Sequence, residues 1–206
     1  MHEGTVNEDL LETYGREGTP VWRIYEPSSV MAVLGAAGDP SRDLILENLS
    51  RDGVSYSFRK GGGGTVILSP GQVVLAFVRE VGSPFLNREY ARRVNDWFVE
   101  TLSGLGVHDI SHRGISDLAI GERKILGTSI YRRRLALFYQ ASLLVSNDLA
   151  LFNSYLTMPA REPDYRQGRG HEQFCTTLVR EGYQLSTENI IEALAETVER
   201  SIGNLQ

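Results

Sequence analysis

The chain has 206 residues, 41% hydrophobic and 23% charged, with a formal net charge of −5, enough for one hydrophobic core and about one domain. Its acidic balance and pI near 5.4 argue against a nucleic-acid-binding surface. A mean hydropathy of −0.21, with no apolar run near the roughly 18 residues a bilayer requires, argues against a membrane span. The single cysteine, Cys175, excludes an internal disulfide framework and suits a reducing compartment. The acidic, polar N-terminus has neither a secretory nor a transit pattern, so the expected location is the cytoplasm.

Taken in chain order, amphipathic spacing predicts a short helix over residues 7–14, then strands over 21–25 and 30–34. A helix is expected over 41–49, with Ser41 after Pro40 as its N-cap. Strands follow over 56–58, 65–68 and 73–78; the last is apolar enough to be central and to line an acyl tunnel. Residues 87–105 place Tyr90, Val94, Trp97, Phe98, Leu102 and Leu105 on one helical face. A long β region spans 117–145, with turns at 121–124 and 131–134, and a shorter helix covers 148–156. Residues 159–170 are nearly devoid of apolar side chains and read as a mobile loop. Residues 186–202 form a last helix with Ile190, Ile191, Leu194 and Val198 inward. Strands in runs, not in strict βαβ alternation, predict an α+β fold with a mixed or antiparallel sheet flanked by helices.

Two segments carry chemistry. The first reads Arg59, Lys60, Gly61, Gly62, Gly63, Gly64, Thr65, Val66. Four glycines in a row between strands are entropically costly unless a ligand must approach the main chain closely. Amide N–H groups there can face an anion, and Arg59 and Lys60 add positive charge for it. A flexible hairpin tip is the plain alternative. The second runs from Asp117 through Arg123 and Lys124 to Gly127, Thr128 and Ser129. It predicts a β-hairpin whose lysine enters a site, where it can neutralise a phosphate and polarise a carbonyl; the plain alternative is a solvated lysine. Lys60 and Lys124 are the only lysines among 21 Lys and Arg residues, and each lies beside one of these segments.

In this order and spacing the two segments resemble the lipoate–protein ligase A family, part of the biotin/lipoate protein ligase superfamily with octanoyltransferase relatives. There an Arg-Arg-x-x-Gly-Gly-Gly-x-Val strand–loop precedes an Asn-Asp hairpin carrying Arg-Lys-x-x-Gly. Residues 21–27 (VWRIYEP) and 32–36 (AVLGA) are similar to the family's opening strands, and 141–145 with 149–156 to those after the hairpin. The resemblance runs over roughly residues 5–200. It implies a biotin/lipoate-ligase-like catalytic domain spanning residues 1–206, without the C-terminal accessory domain many ligases carry. It further implies ATP and Mg²⁺ as co-substrates, lipoate or lipoyl-AMP as ligand, and a lysine of a lipoyl-carrier domain as acceptor. Lys124 takes the family lysine's place between acyl carbonyl and phosphate. Arg59, the glycine loop, Gly127, Thr128 and Ser129 hold substrate and nucleotide, and Asp117 stands where a Mg²⁺-associated acid is found.

The departures are specific. The family's histidine two residues beyond the loop valine is Leu68, its His-His-Gly is replaced by Phe138, Tyr139 and Gln140, and the Asn of Asn-Asp is Ser116. They leave room for an accessory subunit on a second polypeptide, or for a non-catalytic lipoyl- or nucleotide-binding subunit. Octanoyltransferases of the same fold use a cysteine thioester, which makes Cys175 the alternative nucleophile, with His171 four residues away. Cys175 also reads as a buried apolar residue. His108 and His112 have no third ligand nearby, so no metal site is expected there. The arginines at 132–134 read as a solvated turn or as a contact for an acidic carrier domain.

Overall fold

A computed structural model describes residues 2–205, with side chains from Val6 onward. Its strands divide into two sheets. The larger has six strands in the order β2 (Val21–Tyr25), β6 (Gln72–Glu80), β10 (Ala136–Leu144), β9 (Arg123–Arg133), β8 (Asp117–Ile120), β7 (Ile110–Arg113), antiparallel throughout. The smaller has four, in the order β1 (His2–Thr5), β4 (Ser55–Phe58), β3 (Met31–Leu34), β5 (Val66–Leu68). There β3 runs parallel to β4 and antiparallel to β5. The expected α+β class is met, with its strands in two sheets.

Seven helices accompany them among the described residues: α1 (Asp9–Glu17), α2 (Pro40–Asp43), α3 (Leu46–Asp52), α4 (Asn87–Gly104), α5 (Ala150–Tyr155), α6 (His171–Phe174) and α7 (Thr187–Ser201). The two long ones, α4 and α7, cover one face of the large sheet. Tyr90, Val94, Trp97, Phe98 and Leu102 of α4 and Ile190, Leu194 and Val198 of α7 join Val73, Leu75, Phe77 and Tyr139 in the main core. Each such side chain contributes about 1.5–3 kcal/mol of burial, so this face anchors the molecule. Ser186 caps α7 by accepting a hydrogen bond from the Asn189 amide.

One predicted helix is broken. Residues 41–49 divide between α2 and α3, because Leu44 is extended and pairs with Leu156 in an isolated bridge. The cap of α2 is Asp39, whose side chain accepts from Ser41 N. Nor is the segment 159–170 a free loop. A 3₁₀ turn at Asp164–Arg166 folds it inward, and Arg166 is only 5% exposed. No helix among the described residues is long and apolar enough to cross a membrane.

Candidate functional site

The glycine loop joins β4 to β5 and crosses the end of β3. The Ala36 amide donates to Gly61 O (3.0 Å) and the Arg59 amide to Leu34 O (2.9 Å). Arg59 does not project toward a ligand. Its guanidinium turns back under the loop and donates to the carbonyls of Val33 (3.2 Å), Gly62 (2.9 Å) and Gly64 (2.7 Å). Burial pulls its pKa down to about 10. A trans peptide sets each N–H opposite the preceding carbonyl, so the bonds to Gly62 O and Gly64 O turn the amides of Gly63 and Thr65 away from Arg59. The cation thus builds an amide-lined surface and backs it with charge from behind. Lys60 pairs with Glu8, so it does not add the charge expected of it.

Glycine is required here by contact. A Cβ on Gly61 would stand 2.1 Å from Ser129 Oγ, and one on Gly35 would stand 2.3 Å from Gly63 O; Gly63 itself has φ +98°. The loop is also tied to its surroundings. Thr65 Oγ1 donates to Asp43 Oδ2 (3.2 Å), and Ser129 Oγ donates to Gly62 O (2.9 Å), fastening the loop to β9 of the large sheet. Val66 begins β5, and Thr128 Oγ1 donates to Ser116 O (3.2 Å).

Lys124 lies on the same strand. Residues three apart on a strand ordinarily face opposite ways. Here Ala119 pairs with Lys124 but Leu118 with Leu126, so Ile125 is an extra residue, a β-bulge. Ile125 and Leu126 are both buried, while Lys124 and Gly127 share the other face. A Cβ on Gly127 would stand 2.8 Å from Lys124 Nζ, so the bare α-carbon leaves room for the ammonium. Lys124 Nζ is 2.7 Å from Asp117 Oδ1, and Tyr165 Oη donates to Asp117 Oδ2 (2.8 Å).

The structure therefore brings the predicted lysine, acid, glycine loop and Ser129 together along β9, whereas Thr128, whose hydroxyl meets Ser116 O beside Asn95 of α4, faces the other side of the strand. The Lipoyl protein ligase A/B catalytic domain model matches residues 4–199. The chain belongs to this family.

Among its relatives is a protein of Aeropyrum pernix assigned as lipoate-protein ligase A, 29% identical over 146 residues, covering 69% of this chain and 53% of that protein. The chain spans about half the length of that relative. A bi-partite lipoate protein ligase from Thermoplasma acidophilum, solved in a study with its E2 lipoyl domain, shares the fold. The TM-score is 0.78 at 19% identity, over 98% of this chain and 82% of that one. A lipoate-protein ligase A bound with ATP gives 0.78 at 19%, over 98% and 83%. At these identities the two structures speak for the fold.

The lipoyl-ligase framework also locates the rival nucleophile. Cys175 follows the short helix α6 and pairs with Lys124 in an isolated parallel bridge, with the Thr176 amide donating to Lys124 O (2.9 Å). The thiol is buried, and burial pushes its pKa up to about 11 in spite of the neighbouring Lys124 and Arg166. His171, the cation that the thioester alternative would need, turns elsewhere. Its Nδ1 accepts from Arg166 Nη2 (3.4 Å) and its Nε2 lies 3.1 Å from Thr157 O, with burial and then Arg166 shaping a net lowered pKa. His112 pairs with Asp96. Among the described residues no group of three His, Cys, Asp or Glu side chains could hold a metal.

Sequence reasoning missed Gly35, Tyr165 and Arg169. Gly35 was visible only as a strand-end glycine in AVLGA. The other two sit in a polar stretch that carries no periodic signal.

Proposed function

We propose that this chain uses ATP to activate lipoate as lipoyl-adenylate and transfers the lipoyl group to a lysine of a carrier-protein domain. The observation that carries this reading is the meeting of Lys124, the bare Gly127 and the glycine loop on one face of β9. Lipoate's carboxylate oxygen attacks the α-phosphorus and pyrophosphate leaves. The carrier amine then attacks the acyl carbonyl and AMP leaves. Lys124 supplies positive charge where negative charge grows in both steps, and the amides held by Arg59 receive the phosphate. Asp117 has both oxygens engaged, by Lys124 and Tyr165, and an ammonium beside it repels a second cation. These residues do not fit a resident Mg²⁺, and no step is assigned to one.

The described residues act in this reading as one catalytic domain, aided by an accessory polypeptide; the bi-partite relative supports that arrangement. The test is incubation with lipoate, Mg·ATP and a panel of carrier domains, with and without accessory polypeptides, followed by intact mass of each carrier. Nucleotide and lipoate binding with no mass gain in any arm would leave a binding subunit instead. A second reading, a Cys175-dependent octanoyltransferase, draws on the thiol's place beside Lys124. It predicts ATP-independent transfer and an octanoyl adduct on Cys175. The raised thiol pKa and the turned-away His171 favour the ligase.

A further inference from the structure

The segment before α6 brings an aromatic hydroxyl to the lysine site that the ligase reading does not use. Tyr165 donates to Asp117 Oδ2 at 2.8 Å, and the same carboxylate's Oδ1 lies 2.7 Å from Lys124 Nζ. The three groups form one line, with Asp117 as the shared middle member. The lysine end has four rotatable bonds and three donors, so its rest position is set by what holds the carboxylate.

Tyr165 is held unusually firmly for a residue in a polar segment. Its ring lies against Phe174 at 5.0 Å between centroids. Phe174 in turn carries the Arg166 and Arg169 guanidiniums at 4.9 and 5.5 Å from its ring centre. Arg169 donates to Tyr165 O (2.6 Å), Arg166 O (3.0 Å) and Glu122 O (2.9 Å), which clips the segment to the β8–β9 turn just before Lys124. The phenol is thereby a fixed donor, and burial beside Asp117 raises its pKa so that it keeps its proton.

We propose that Tyr165 is a positioning residue: acting through Asp117, it fixes the Lys124 ammonium over Gly127 in the orientation that acyl-adenylate formation requires. The inference rests on the ligase reading for its consequence but not for its geometry. With the hydroxyl removed, the carboxylate is free to rotate and carries the ammonium away from its place over Gly127.

The lysine content makes the test direct. Reductive ¹³C-methylation labels Lys60, Lys124 and the N-terminal amine, and the label preserves the lysine charge. In full-length Tyr165→Phe the Lys124 methyl signal should shift and broaden, while Lys60, paired with Glu8, serves as the internal control. On unlabelled protein, kcat for lipoyl-adenylate formation should fall about tenfold, the size expected for one charge-assisted hydrogen bond. The KM values for lipoate and ATP should stay put. In an Asp117→Asn background, Tyr165→Phe should have no further effect on the Lys124 signal, because the link between the two is already cut. A folded Tyr165→Phe protein with an unmoved Lys124 signal, an unchanged kcat, or an undiminished effect in the Asp117→Asn background overturns the inference. Failure of the ligase reading is seen separately, as wild-type protein that makes no lipoyl-adenylate.

Discussion

Adding one methyl group at Gly127 separates catalysis from stability. The Cβ of Gly127→Ala would stand 2.8 Å from Lys124 Nζ and 2.9 Å from Cε. Non-bonded contacts of this kind settle near 3.5 Å, so the ammonium must withdraw by about 0.7 Å. A displacement approaching 1 Å in a reacting group costs up to about a hundredfold in rate. The fold should scarcely notice. The clash is with the far end of a flexible side chain, and alanine is favoured over glycine in a strand interior by about 0.5–1 kcal/mol. The expected outcome is a fall of about 30- to 100-fold in carrier lipoylation, read by intact mass, with a Tm within about 3 °C of wild type by calorimetry. A variant with the full rate would refute the claim that Lys124 acts from above Gly127. A large loss of Tm would make Gly127 a packing residue.

Lys124→Ala should lower transfer by about a hundredfold or more while circular dichroism and the gel-filtration elution volume stay unchanged; wild-type rates would remove Lys124 from the mechanism. Gly35→Ala puts a methyl 2.3 Å from Gly63 O, a backbone atom that cannot swing aside. We expect a loss of about 1–3 kcal/mol in urea unfolding together with weaker ATP binding in calorimetric titration, and unchanged affinity would mean the loop does not contact nucleotide. Cys175 supplies a pH test. Its pKa rises from 9.0 to about 11 on folding, so the native state holds the thiol proton more tightly. That contribution is whole below pH 9 and drains away between about 9 and 11. Cys175→Ser should flatten the decline in urea midpoint across that window and keep most ligase activity, whereas loss of activity would favour the thioester mechanism.

The parts of the site legible in the sequence were those whose signal is local. Four successive glycines and a lysine just past a turn stand out without any partner in view, and amphipathic α4 and α7 announce their buried faces. What stayed hidden depends on distant contacts. Arg59 looked like a ligand-facing cation, because a sequence does not show that three carbonyls wait behind the loop to receive it. Residues 41–49 have continuous helical propensity, yet Leu44 is drawn into a bridge with Leu156. Tyr165 lies among prolines, arginines and glycines that read as surface, and only Phe174 and the clipping arginine turn it inward. His171 and Cys175, four residues apart, left a dyad open beside the reading of Cys175 as a buried apolar residue. The helical turn between them joins only their backbones, Cys175 N to His171 O at 2.8 Å, and the imidazole points away.

The backbone pairing of Lys124 with the Cys175–Thr176 segment has a kinetic consequence. The hairpin can form by itself, but the Lys124 carbonyl receives its hydrogen bond from an amide about fifty residues further along, and that loop must close first. The glycine loop, also some sixty residues away, arrives by a second long closure. Non-local contacts of this kind form late, so this corner is assembled after the local β9–β10 hairpin. Weakening contacts at Tyr165 or Thr176 is then expected to speed unfolding while leaving the folding rate nearly untouched. In native-state hydrogen exchange the amides around Lys124 should open before those of β6 and β10, giving this corner its own, lower threshold of local unfolding.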